Sequence, residues 1–144
     1  MRNAGKLDMA EIEMRKHPSS LKVKGDLVSA LEAAGDLGIV YTGPLRELCK
    51  NAPNNVNTMA VLAMASELGF DKVRAALIAD TSLEHHITNV VLWGPLDANG
   101  LRYSLKLSRS SPAGVGAVTS TATLDTFLSS MKRSQGKGPG VHFV

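Results

Sequence analysis

The sequence predicts an α+β domain: a mostly antiparallel or mixed sheet covered by helices. Three observations carry this. Glu11-Ile12-Glu13-Met14-Arg15-Lys16-His17 and Leu101-Arg102-Tyr103-Ser104-Leu105-Lys106-Leu107 alternate apolar and polar residues with period two, the pattern of half-buried strands. Met59 to Ala65 is apolar on every side, so it predicts a helix buried over most of its circumference. Leu124, Phe127, Leu128 and Met131 fall at i, i+3, i+4 and i+7, one apolar face of an amphipathic helix. A chain of 144 residues suits one domain with a sizeable core.

The elements follow in order. Residues 1–9 read as the tail of a connection. The first strand ends at Pro18-Ser19-Ser20. Asp26 to Ala34 predicts a short helix, with Asp26 as cap, Leu27, Ala30, Leu31 and Ala34 on one face, and Gly35 closing it. Gly38 to Thr42 is a strand stopped at Gly43-Pro44. Pro44 to Asn51 forms two helical turns, with proline at the first position, where its missing N–H costs little. Pro53-Asn54-Asn55-Val56-Asn57 opens the apolar helix with asparagine as the cap, and Gly69 closes it. Val73 to Ala79 and His86 to Leu92 are strands, joined by a polar junction. Asp97-Ala98-Asn99-Gly100 turns the chain into the strand Leu101 to Leu107. Arg109 to Gly116 is a loop, the last helix covers about 117–134, and 135–144 is a tail in which Val141 and Phe143 are the residues able to dock.

Composition narrows the function. The basic residues outnumber the acidic, 16 against 13, but they are scattered and not interleaved with aromatics, unlike a nucleic-acid-binding face. No stretch resembles a membrane span or a secretory leader. Cys49 is the single cysteine, which suits a reducing, cytoplasmic compartment and a small buried residue rather than a nucleophile.

The junction Asp80-Thr81-Ser82-Leu83-Glu84-His85-His86 concentrates the ionisable groups. His86 at a strand end suits a general acid/base, since imidazole titrates near neutrality and Asp80 or Glu84 can orient it; a structural histidine is the competing reading. Asp80, His85 and His86 do not complete a zinc set. Asn57 falls in the first turn of the apolar helix, where free N–H groups and the positive end of the dipole favour an anion or a carbonyl. Simple capping by Asn54, Asn55 and Asn57 explains the same residues. No dinucleotide or phosphate-loop fingerprint occurs, so the main binding domain of any redox cofactor is not in this sequence.

Several blocks then stand in a familiar order: Gly43-Pro44-Leu45-Arg46-Glu47-Leu48, Pro53-Asn54-Asn55-Val56-Asn57-Thr58-Met59-Ala60, Leu68-Gly69-Phe70-Asp71, Ala79-Asp80-Thr81-Ser82-Leu83, His86, and Ala117-Val118-Thr119-Ser120. In sequence and spacing they resemble the C-terminal half of the L-aspartate dehydrogenase family, above all its animal members, the aspartate dehydrogenase domain-containing proteins. The similarity runs from about Ala4 to Val144. The lysine that often precedes the Thr-Ser pair in microbial members is Val118 here.

The resemblance implies an NAD- or NADP-dependent oxidation of L-aspartate, or of a related dicarboxylic amino acid, through iminoaspartate to oxaloacetate and ammonia. It implies that residues 1–144 form the substrate and oligomerisation domain of a homo-oligomer. The last helix would pack toward a nucleotide-binding domain absent from this chain. Its catalytic histidine matches His86, its cofactor-contacting asparagine matches Asn57, and Thr119 and Ser120 match a pair near the substrate. No metal, membrane or nucleic acid enters this reading. The alternative is a non-catalytic truncated isoform serving as an oligomerisation or binding module. A two-domain reductase of the dihydrodipicolinate reductase type is a third possibility.

Overall fold

A computed structural model describes residues 6–120, 122–140 and 142. The chain begins with β1 (Met9–Lys16), in which Ala10, Ile12, Met14 and Lys16 all turn inward. Pro18 ends it in a 3-10 turn, where the His17 Nδ1 accepts the Ser19 N–H at 3.3 Å. Then follow α1 (Asp26–Ala33), β2 (Leu37–Pro44), α2 (Leu45–Asn51), a 3-10 turn at Pro53–Asn55, and α3 (Asn57–Ala65). A single helical turn, α4 (Gly69–Lys72), leads into β3 (Val73–Asp80), β4 (His85–Trp93), β5 (Ser104–Pro112) and α5 (Ala122–Ser134).

The five strands form one sheet in the order β2-β3-β1-β4-β5. β1 runs parallel to β3, and every other pairing is antiparallel, so the mixed form of the expected sheet is realised. The parallel pair arises because a long crossover through α1 to α4 returns the chain beside β1. Ile12, Val73 and Leu77 from the sheet pack against Leu45, Leu48 and Met59 from the helices, all nearly or fully excluded from solvent. At about 25 cal/mol per Å² of apolar area buried, this face is the main source of stability.

Four local expectations change. Asp26 does not cap α1; Gly25 does, at φ 57°, and Asp26 sits in the first turn, where its charge favours the helix dipole. No asparagine caps α3. Val56 holds that position and Asn55 is buried instead. Gly69 does not close α3 either: Ser66 is the C-cap, Glu67 takes the left-handed backbone at φ 60°, and Gly69 opens α4. α3 is not buried all round. Met59 and Ala63 face the core, while Val61 and Met64 remain about half exposed, because the helix lays only one stripe on the sheet.

β5 also differs. It begins at Ser104 and continues through the Arg109–Pro112 segment expected to be a loop. Its ladder with β4, from Trp93↔Ser104 to His85↔Pro112, outweighs the Ser/Pro composition. Proline is tolerated there because β5 is an edge strand. The Asp97 turn forms as expected, with Asp97 N–H donating to the Leu101 carbonyl at 2.7 Å. Val141 and Phe143 lie outside the described residues.

Candidate functional site

Directly paired residues on neighbouring strands share a face of the sheet. Met14, Thr88 and Arg109 form one such row on the helix side. One pair further along, Ser111 faces His86, and the same register carries Lys16 beside His86. This end of the sheet is the floor of a cavity of about 560 Å³. The Pro53–Asn55 turn and the start of α3 form one wall. The segment from Val118 to Ser120 and the facing side of α5 form the other.

The cavity gathers His86, Asn57, Thr119 and Ser120, residues spread over more than sixty positions of the chain. His86 is buried, and its Nε2 has no hydrogen-bond partner among the described residues. Burial, and then the charge of Lys16, push its pKa below the ordinary histidine value, while a backbone interaction with Ala117 opposes them. These causes favour the neutral form of the His86 imidazole, whose Nε2 is buried and unpartnered among the described residues. Asn57 is the first residue of α3 and is solvent-accessible, beside backbone N–H groups that the helix itself cannot satisfy. Ser120 and Thr123 lie 3.4 Å apart at their hydroxyls, at the entry to α5.

Asp80 does not orient His86. Its Oδ1 accepts from the Ser82 N–H at 3.0 Å and the Ser82 hydroxyl at 2.6 Å, and Arg15 lies 3.9 Å from its Oδ2. Those Ser82 contacts, led by the hydroxyl, hold its pKa below the usual carboxylate value. His85 is exposed, on the opposite face of β4.

Three contributors escape a reading by motif: Lys16, Asn55 and Arg109. The Lys16 Nζ donates to Asn55 Oδ1 at 3.1 Å and to the Val118 carbonyl at 3.3 Å. Burial lowers its pKa from 10.5 to about 8. The Asn55 Nδ2 donates in turn to the Lys22 carbonyl at 3.1 Å, which fixes the amide. The signal for Lys16 is present in the sequence, because period two puts it on the inward face with Ile12 and Met14. Arg109 stands opposite Thr88 and adds a second positive charge to the lining. No aspartate or glutamate lines the cavity among the described residues. The arrangement is an anion-receptive pocket with a histidine in its wall whose neutral form is favoured.

Comparison with known proteins finds relatives over nearly the whole chain. Residues 1–130 match the family described as "Aspartate dehydrogenase, C-terminal". An aspartate dehydrogenase domain-containing protein of Xenopus tropicalis is 42% identical over 146 residues, covering 99% of this chain and 51% of that protein. Its counterpart in Danio rerio is 40% identical over 144 residues, covering 99% and 50%. An L-aspartate dehydrogenase of Methanosarcina acetivorans is 26% identical over 131 residues, covering 88% and 48%. The crystal structure of aspartate dehydrogenase from Thermotoga maritima superposes with a TM-score of 0.57 at 21% identity, over 96% of this chain and 47% of that one, a likeness of fold. The chain spans about half the length of the relatives it matches. By the match over residues 1–130, it belongs to the aspartate dehydrogenase family, corresponding to the C-terminal domain.

Proposed function

We propose that this chain is the substrate and catalytic domain of an NAD- or NADP-dependent L-aspartate dehydrogenase-type oxidoreductase. The observation that carries the reading is one cavity uniting His86, Asn57, Thr119 and Ser120 with two cationic side chains and, among the described residues, no acidic one. A dicarboxylic amino acid matches that charge.

The residues also fit a nicotinamide cofactor. His86, whose buried Nε2 has no partner among the described residues, and the open first turn of α3 line the same cavity. When bound, the cofactor supplies the hydride acceptor. Asn57 would hold its carboxamide edge or ribose. Oxidation removes a hydride from the aspartate Cα and releases a proton from its ammonium to solvent, leaving iminoaspartate. Water then adds to the imine carbon and ammonia departs, giving oxaloacetate. His86 takes a proton from the attacking water and returns one to the leaving amine, a role for an imidazole neutral at working pH. Thr119 and Ser120 hydrogen-bond the substrate at the start of α5.

The exposed apolar face of α5, with Leu124, Phe127, Leu128 and Met131, supports packing toward a nucleotide-binding domain. A cytoplasmic location accords with the lone Cys49, and no helix among the described residues is long and apolar enough to cross a membrane. That same apolar α5 face favours the second reading, a non-catalytic binding module.

The test joins this chain to the amino-terminal half of a relative and measures aspartate-dependent NADH or NADPH formation. His86→Ala should lower kcat roughly hundredfold or more. An unchanged rate removes His86 from the mechanism, and no turnover in the unsubstituted protein favours the binding module.

A further inference from the structure

Lys16 is 3% exposed and carries an ammonium with three donors. Two of them meet Asn55 Oδ1 and the Val118 carbonyl, both neutral, and it has no other acceptor among the described residues. The charged or titratable groups facing it across the cavity are His86 from β4 and Arg109 from β5. The Pro53–Asn55 turn and α3 contribute only neutral side chains to the lining, as do the Val118–Ser120 segment and α5. A buried ammonium with no counter-ion is costly, and the partner that offsets the cost is an anion.

From this we infer that Lys16 is the anchor for one carboxylate of a dicarboxylic ligand, its ammonium aimed into the cavity by Asn55 and the Val118 carbonyl. The inference rests on the reading of the cavity as a substrate site and names the group that recognises the substrate class. It also accounts for Val118: the positive charge that the neighbouring position lacks arrives from β1, and the Val118 backbone receives it. A carboxylate on Lys16 neutralises the charge that opposes protonation of His86. Ligand binding and proton uptake by the imidazole are thereby coupled.

The probe is succinate, a dicarboxylate that has no amine to oxidise. It is titrated into the 144-residue chain and followed by NMR at the His86 ring and the Val118 and Ser120 amides. Saturable shifts are expected. Lys16→Met should weaken binding roughly ten- to hundredfold, while Lys16→Arg retains most of it. Near pH 9.5 the unsubstituted chain should bind more weakly than at neutral pH, because Lys16 loses its proton at about 8, whereas the arginine variant stays charged and weakens less. A merely structural lysine would not produce that difference.

Asn55→Asp keeps the side-chain shape and gives Lys16 an internal carboxylate, at the cost of the bond to the Lys22 carbonyl, and should weaken succinate in the same direction if Lys16→Met fails to fold. Succinate affinity within about twofold of the unsubstituted chain in whichever of Lys16→Met and Asn55→Asp folds, or no binding to the unsubstituted chain, overturns the anchor. Turnover of aspartate by the joined enzyme is scored separately. Turnover with binding indifferent to Lys16 removes the anchor and leaves the oxidoreductase reading. Lys16-dependent binding without turnover does the reverse.

Discussion

Lys16 and His86 stand side by side on antiparallel strands, one register step beyond the Arg15↔Ile87 pair, with both side chains directed to the helix face. Directly opposite residues bring their Cβ atoms to about 5 Å. Each side chain is buried, and the charge of Lys16 is the second cause, after burial, of the low His86 pKa. The pair therefore titrates as neighbours.

The His86 ring should titrate below the ordinary value of 6.5, read from its C–H resonances by NMR. Lys16→Met should move that midpoint upward, since one of the two lowering causes disappears. A midpoint that stays put would separate the two residues electrically.

The same lysine gives stability a signature on the alkaline side. Its native pKa is lowered from 10.5 to about 8, so within that window the unfolded chain binds a proton that the native chain does not. Stability attributable to Lys16 must then rise with pH from about 8 toward 10.5. The difference in unfolding free energy between the unsubstituted chain and Lys16→Met should grow across that window by on the order of 2 kcal/mol. Urea denaturation at several pH values measures it. A flat difference contradicts the prediction.

Asn55→Ala should lose about 1–3 kcal/mol of unfolding free energy. Asn55 is buried, and it serves both as an acceptor for Lys16 and as a donor to the Lys22 carbonyl. Removing it strands both partners. Denaturant unfolding gives the number, and a loss within error would mean that water replaces the amide.

Gly38→Ala should cost about 1–3 kcal/mol. A Cβ at this position would collide with the backbone of Ala34, including its carbonyl oxygen, where no flexible side chain can give way. By contrast, Phe127→Ser on α5 should change stability by less than about 0.5 kcal/mol, because Phe127 is 60% exposed. Thermal melts of the two variants side by side test the pair. A large loss from Phe127→Ser would show that α5 is clamped to the rest of the chain.

Much of this protein is written locally. Period two marks β1, and the strand alternation around Asp97 marks the β4–β5 hairpin, even though β5 settles further along the chain than its apolar residues suggest. The spacing of Leu124, Phe127, Leu128 and Met131 marks α5, because helical periodicity depends only on near neighbours. The order of Asn57, His86 and Thr119-Ser120 was likewise legible through the family resemblance. What only the tertiary structure decided is which distant segments meet. Whether Ala10 to Lys16 pairs in parallel with β3 and antiparallel with β4 depends on a crossover of some sixty residues, not on β1 itself. That pairing sets Lys16 against His86, and it turns Asn55 from an expected helix cap into the acceptor that holds the lysine. Burial and charge compensation are properties of neighbours brought from far along the chain, so a lysine at the end of an alternating strand acquires its meaning only in the folded cavity.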